Sequence, residues 1–291
     1  MKKTTAILAS AVALVMAGSA IAETTVYGRA RMGLIVSSDN DNAVGLVNDS
    51  SRFGFKGSED LGNGMSTIYK FELGYNADNA SQASGASTRI GMVGLKGDFG
   101  TTAIGNMWVP TYNLVRGNID PFNHFGLDQG YGFRGRAGDA LAYANSFGDV
   151  KFQAAIVSVD SGSESDLMDG YSVAVSFPAG PVSIGIGVDS DTDNSATALT
   201  VGYKGDGFGV TFGYEDAEDL GGDKVTTLVG TMGVGAKGKA LLRWSSMDNA
   251  DVDGVTLGYH HALSKRTKVY VENSSGDLRT DATIIGLRHD F

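Results

Sequence analysis

Eight residues in the second half of the chain alternate between large apolar and small or polar side chains: Phe208-Gly209-Val210-Thr211-Phe212-Gly213-Tyr214-Glu215. Side chains along a β-strand point alternately to its two faces, so Phe208, Val210 and Phe212 share one face. The same pattern recurs at residues 171–177, 182–189 and 255–260. We therefore expect strands that carry one apolar face and one small or polar face.

From Thr25 onward this alternation continues in segments of about ten residues. It predicts sixteen strands, at residues 25–36, 50–58, 65–75, 88–97, 101–108, 138–147, 150–158, 170–177, 182–190, 196–204, 208–215, 223–233, 235–247, 252–262, 266–274 and 279–291. After every second strand comes a short turn rich in Gly, Asp or Pro, as at 97–100 and 178–181. The other connections are longer and polar: 37–49, 76–87, 109–137, 159–169 and 216–222.

Short turns at one end and long loops at the other are typical of bacterial outer-membrane barrels. The fold prediction is therefore an all-β, 16-stranded antiparallel transmembrane β-barrel. A soluble β-sandwich would have to pack its apolar faces against one another. The last strand ends at Phe291, on the same face as Ile285 and Leu287. An aromatic terminal residue on the lipid-facing side is a feature of barrels inserted into the outer membrane, so we expect Phe291 to act as an assembly signal.

The first 22 residues differ from the rest of the chain. Lys2 and Lys3 precede an apolar run from Ala6 to Ala17 and the small-residue end Ala20-Ile21-Ala22. This order is that of a secretory signal peptide, and the run is shorter than the ~20 residues that a membrane-spanning helix needs. We expect a signal peptide at 1–22 and a barrel domain at 23–291.

Composition excludes several classes of function. The formal net charge is −10, which argues against nucleic acid as a partner. The sequence contains no Cys, so it has no disulfide, thiolate metal site or Cys nucleophile. The four His residues lack metal-ligand spacing, and we expect neither metal nor cofactor. The acidic run 189–194 resembles the start of a calcium loop, but Asn194 and Thr200 replace its Gly and Glu, so we expect a solvated loop.

Several segments, spread along the chain, together resemble the Gram-negative general porin family. They are Tyr27–Arg31, Ser51–Met65, Tyr69–Glu72, Gly94–Gly100, Ala262–Thr267 and Gly286–Phe291. The resemblance implies a homotrimer of 16-stranded barrels in outer-membrane lipid, each with its own pore for small hydrophilic solutes and ions. It also implies that the third extracellular loop folds inward, and the longest connection, 109–137, is the third long loop by count. One departure is Asn106, where the family usually carries a basic residue that faces the pore.

Charged residues on the inner faces are the candidates for a pore constriction. Placing a charge on the lipid face at mid-depth costs roughly 2–4 kcal/mol. Where one face of a strand is apolar and faces lipid, the charged residues of the other face therefore point into the lumen. We therefore predict a constriction in which a basic wall faces two acidic loop residues. The wall consists of Arg29, Arg31, Arg52, Lys70 and Arg89, and the loop residues are Asp120 and Asp128. The negative net charge favours cations only weakly, because charges on distant loops are screened over about 10 Å.

Two other classes remain open from the sequence. The first is a barrel enzyme, such as a protease or lipase, or a specific transporter in the same membrane. An enzyme would need a Ser or Asp near a His at one rim, and the pairing that the sequence provides is His124 with Asp120 or Asp128. An adhesive or structural surface β-protein would need no pore. The porin interpretation explains the loop that contains His124, and it requires no catalytic group.

Overall fold

The computed structural model describes residues 24–38, 43–77, 86–127, 135–158, 169–191, 193–220, 222–279 and 281–291. The expected signal peptide at 1–22 and Asp128 lie outside the described residues. No helix in the described part of the chain is long and apolar enough to cross a membrane.

Within the described residues, seventeen strand segments form one antiparallel sheet. They are β1 Thr25–Ser37, β2 Ala43–Asn48, β3 Arg52–Gly62, β4 Met65–Tyr75, β5 Ala86–Gly97, β6 Gly100–Trp108, β7 Arg136–Phe147, β8 Val150–Val157, β9 Gly170–Ala179, β10 Val182–Ser190, β11 Ser195–Lys204, β12 Phe208–Asp216, β13 Lys224–Val234, β14 Gly238–Met247, β15 Val252–Ala262, β16 Thr267–Gly276 and β17 Ala282–Asp290. β17 pairs with β1, so the sheet closes into a barrel without free edges.

The segments β2 and β3 together form one strand of the barrel wall. Both pair with β1, β2 opposite Met32–Ser37 and β3 opposite Thr25–Arg29. The strand is interrupted at Ser50, whose φ is +57°. The barrel therefore has the sixteen wall strands that the alternation predicts. The expectation of a loop over 37–49 is wrong for Ala43–Asn48, because this stretch continues the wall.

The outer surface of the barrel is apolar. Leu34, Ile186, Leu257 and Ile285, on four different strands, are 54%, 49%, 52% and 65% exposed. The buried residues inside include many polar ones instead, such as Arg243, Glu272 and Ser172. A soluble domain has the opposite arrangement, and burying apolar surface contributes about 25 cal/mol per Å². This surface is therefore suited to lipid.

The short connections at one end of the barrel are tight. At the β9–β10 turn, Gly180 adopts φ of +64°, a conformation that residues with a Cβ rarely reach. The β13–β14 turn lies later than the alternation suggests, since β14 begins at Gly238 rather than at residue 235. These turns fix the register of neighbouring strands.

Part of the long connection between β6 and β7 lies inside the barrel. We call its described residues, 109–127, the lumen loop. It contains the short helix α1, Pro110–Leu114, and a 3-10 turn, Arg116–Ile119. Leu114 and Val115 pack against Ala174 of β9 and Ala198 of β11, and Phe125 packs near Tyr270 and Ile284. The small wall residues leave room for the loop, so its apolar side chains are buried within the lumen.

Candidate pore constriction

Three of the predicted basic residues follow one another around the wall, and we call Arg29, Arg52 and Arg89 the basic arc. Arg29 on β1 lies directly opposite Arg52 on the paired strand β3. Arg89 lies on β5, which is separated from β3 by β4. Lipid-facing neighbours such as Phe53 are about half exposed, which puts the arc on the inner face. The Arg29 Nε atom donates to Asp290 Oδ1 at 2.7 Å.

Glu72 of β4 links two members of the basic arc, Arg52 and Arg89. Its Oε1 atom accepts a hydrogen bond from Arg89 Nε at 2.8 Å and lies 3.5 Å from Arg52 Nη1. Its Oε2 atom accepts from the Tyr27 hydroxyl at 3.0 Å. Glu72 is not among the residues predicted for the constriction, although it lies two residues from Lys70 and therefore on the same face of the strand. The sequence offered one indication of this bridging role: Glu72 is a single carboxylate among several basic residues that face inward.

Arg31 and Lys70 lie apart from the basic arc. Arg31 is nearly buried; its Nε donates to the Asp49 carbonyl, and Nη1 lies 3.5 Å from the Asn123 Oδ1 atom of the lumen loop. Lys70 lies nearer the short-turn end, opposite Lys56, with its Nζ atom 5.6 Å from the centre of the Tyr27 ring. Arg31 thus contacts the lumen loop, while Lys70 lies on the inner wall between the basic arc and the β3–β4 turn.

Arg116 attaches the first half of the lumen loop to the wall. Its guanidinium forms an ion pair with Asp189 of β10 and lies 3.1 Å from Glu215 Oε1 of β12. The Thr111 hydroxyl also donates to Asp189. Asp189 is fully buried, so the expectation of a solvated loop at 189–194 is wrong for this residue. A buried carboxylate needs such partners, because an unpaired buried charge is costly.

Glu272 of β16 attaches the second half of the lumen loop. Its two oxygens accept the backbone N–H groups of Asn123 at 2.7 Å and His124 at 2.8 Å. His260 Nε2 lies 2.8 Å from the same carboxylate. His124 Nδ1 lies 2.5 Å from Asp49 Oδ1, so in the described chain His124 pairs with Asp49 and not with Asp120. The loop is therefore held at two widely separated places.

Asp120 is the acidic loop residue that the structure describes. Its Oδ2 accepts a hydrogen bond from the Tyr112 hydroxyl at 2.9 Å, and Tyr112 stacks on Trp108 with 4.2 Å between ring centres. Burial raises the pKa of the Asp120 carboxyl, against the lowering effects of the Tyr112 hydrogen bond and of Arg243. No ion pair joins Asp120 to the predicted wall residues within the described chain.

Phe291 lies at the seam that closes the barrel. Its backbone exchanges two hydrogen bonds with Gly28 of β1, at 2.9 and 3.1 Å. The ring is 49% exposed on the outer side, beside His289. Among the described residues, no group of three or more His, Cys, Asp or Glu side chains is arranged to hold a metal ion.

A closed barrel with an apolar outside, a polar lumen and a loop inside defines a membrane channel. The sequence model described as Gram-negative porin matches residues 9–281, and the chain therefore belongs to the Gram-negative porin family. It is an outer-membrane channel for passive diffusion of solutes. The predicted family, barrel and channel function are thus confirmed.

Individual proteins give the same result. The chain is 28% identical over 276 residues to outer membrane porin protein 32 of Delftia acidovorans, covering 82% of this chain and 77% of the relative. Over 111 residues it is 35% identical to major outer membrane protein P.IB of Neisseria meningitidis, covering 34% and 33%.

Two solved structures share the fold. The anion-selective porin from Comamonas acidovorans has a TM-score of 0.74 at 20% identity, over 93% of this chain and 100% of that one. Salmonella typhi OmpF, solved with daunomycin, has a TM-score of 0.78 at 14% identity, over 93% and 98%. At such identities the likeness concerns the fold.

Proposed function

We propose that this porin selects solutes at a constriction between its basic wall and the lumen loop. The wall side consists of Arg29, Arg31, Arg52, Lys70 and Arg89, and the loop side of Asp120 and Asp128. Fixed charges of opposite sign across a narrow passage create a transverse field that orients water and dipolar solutes. Such a field admits small hydrophilic solutes and discriminates among ions.

The observation that supports this proposal is the basic arc gathered around Glu72. A single carboxylate cannot neutralise Arg52 and Arg89 together, so the wall carries excess positive charge. We therefore propose a preference for anions. The structural relative from Comamonas acidovorans is itself described as anion-selective.

Planar-bilayer recordings of the purified protein test this function. Under a KCl gradient we expect stepwise currents and a reversal potential displaced toward that of chloride. Replacing Arg52 or Arg89 by Gln should move the reversal potential toward that of potassium, whereas the matched control Arg266→Gln, on the short connection before β16, should not move it. A wild-type reversal potential on the potassium side would refute the anion preference, and a silent bilayer with folded protein would refute the channel.

Export and assembly form a second part of the proposal. We expect residues 1–22 to be removed, leaving domain 23–291, and three copies to assemble in outer-membrane lipid with the help of the outer-membrane assembly machinery. The exposed ring of Phe291 supports its role as the assembly signal. The mass of the outer-membrane protein tests the cleavage site, and cross-linking tests the trimer. Phe291→Ser should lower the amount inserted in cells more than it lowers the stability of the folded barrel.

A further inference from the structure

A cavity of about 200 Å³ lies between the inner wall and helix α1. Its walls include Ile90, Met92, Ala103, Met107 and Ala142. Most of these side chains belong to one apolar cluster on β5, β6 and β7. An apolar patch is unusual on a wall that faces water, since the inner face of such barrels is polar.

The local structure of β5 and of the lumen loop creates this cavity. A bulge in the β4–β5 pairing leaves Arg89 without a partner, so that Glu72 pairs with Ile90 and Leu73 with Thr88. Arg89 and Ile90 therefore both reach the inner face. Pro110 of α1 covers the cavity from the loop side.

Lys70 provides the positive charge of this cavity. It is the cross-strand partner of Met92, so its side chain starts beside the apolar wall. Within the described chain the Lys70 amine makes no ion pair within 4.0 Å. Its Nζ atom lies over the Tyr27 ring, 5.6 Å from the ring centre. The nearest acid on the same face, Glu72, is already bound by Arg52, Arg89 and Tyr27. The amine is thus available to an incoming anion.

We propose that this cavity is a binding site for small monoanions with a compact apolar body, such as aromatic monocarboxylates. The ring fits against Met92, Met107 and Ala142, and the carboxylate contacts the Lys70 amine. Ligand sites typically combine apolar walls with a few polar groups that fix orientation. A neutral sugar would make no ion pair with Lys70, and an organic cation would be repelled by it.

The inference builds on the channel function and uses Lys70, which also belongs to the proposed constriction. The experiment therefore varies the apolar wall and not the charge. Benzoate, acetate and benzyl alcohol are added to single channels at constant ionic strength, and each current is compared with the same channel's current in KCl. Ala142→Leu fills the cavity, and Ala154→Leu adds the same group on the outer face of β8 as the control.

We expect benzoate to reduce the wild-type current saturably, and acetate and benzyl alcohol not to do so. Ala142→Leu should raise the half-blocking concentration of benzoate by about tenfold, because the added side chain occupies the place of the ring. Ala154→Leu should behave like the wild type. Equal effects of benzoate and acetate, or equal block of Ala142→Leu and the wild type, would overturn the site while leaving the porin function intact.

A fluorescence titration tests binding without any current. Trp108 lines the cavity, and the second Trp of the chain, Trp244, lies on the outer surface. We expect 4-nitrobenzoate to quench Trp108 saturably in the folded, detergent-solubilised protein, with Trp108→Phe reporting the background from Trp244. Quenching that does not saturate, or that is the same in Ala142→Leu, would refute the site even if no channel opened.

Discussion

Glu272 of β16 accepts the backbone N–H of Asn123 in the lumen loop, with 2.7 Å between the two atoms and 149 residues between them in sequence. The carboxylate is fully buried, and its second oxygen accepts the N–H of His124. Hydrogen bonds that a charged carboxylate accepts are stronger than those between neutral groups. This contact fixes the turn of the loop inside the lumen.

Glu272→Gln should loosen that turn. The side-chain NH2 group of Gln donates and cannot accept a hydrogen bond, so one of the two backbone N–H groups loses its acceptor, at a cost of about 1.5–3 kcal/mol. We expect faster hydrogen exchange at residues 123–125 and higher open-channel current noise, with the barrel still folded. Glu218→Gln, on an exposed connection, is the matched control. Unchanged noise and exchange in Glu272→Gln would show that the apolar packing of Phe125 is sufficient to hold the loop.

Glu72→Gln should increase anion preference. A unit charge about 4 Å away changes the free energy of an ion by about 1 kcal/mol in water, or about fivefold in permeability. We expect the reversal potential of the variant to move further toward that of chloride at 0.1 M KCl. The shift should largely disappear at 1 M salt, where the screening length is only about 3 Å. A shift toward potassium would mean that Glu72 acts mainly by positioning Arg52 and Arg89.

Arg116→Met should destabilise the folded barrel. It leaves Asp189 and Glu215 buried without their shared cation, and breaking a buried pair costs about 3–5 kcal/mol. Denaturant unfolding in detergent measures the loss. Adding Glu215→Gln to Arg116→Met should restore part of the stability by removing one uncompensated charge. If the double variant is no more stable than Arg116→Met, charge is not the cause of the loss.

Gly105→Ala should disturb the wall of β6. Gly105 has φ of +123°, and an added Cβ would lie 2.0 Å from the Gly91 carbonyl oxygen. We expect the free energy of unfolding to fall by about 1–3 kcal/mol, the usual cost of a strained backbone conformation. Gly138→Ala on neighbouring β7 meets no atom within 4 Å and serves as the control. Equal unfolding midpoints for the two variants would contradict this expectation.

The wall strands could be predicted because each residue's environment alternates with the pleat of the strand. Phe208, Val210 and Phe212 face outward and are 46%, 41% and 39% exposed. This pattern is local, so the sequence contains all that is needed to recognise it. The strand Ala43–Asn48 was missed because the interruption at Ser50 separates it from β3.

The contacts within the site were less predictable. Strict alternation would turn Arg89 outward with Val93 and Leu95, and it is the bulge that brings Arg89 beside Glu72. Asp189 follows an apolar strand and precedes polar residues, yet it is buried by Arg116, which lies 73 residues earlier. Net charge was also a poor guide, because the chain is acidic overall while the basic arc faces the lumen. Such pairings depend on distant segments that meet in three dimensions.

The two attachments of the lumen loop impose an order on folding. Asp189 and Glu215 belong to the tenth and twelfth strand segments, and Glu272 to the last but one. The loop precedes all three in the chain, so its hydrogen bonds to Glu272 form only after β16 has joined the sheet. A barrel that still lacks β16 would therefore hold the loop through Arg116 and Asp49 but without the buried carboxylate of Glu272. The final fixing of the loop turn is in this sense a late event, because it requires the last wall strand but one.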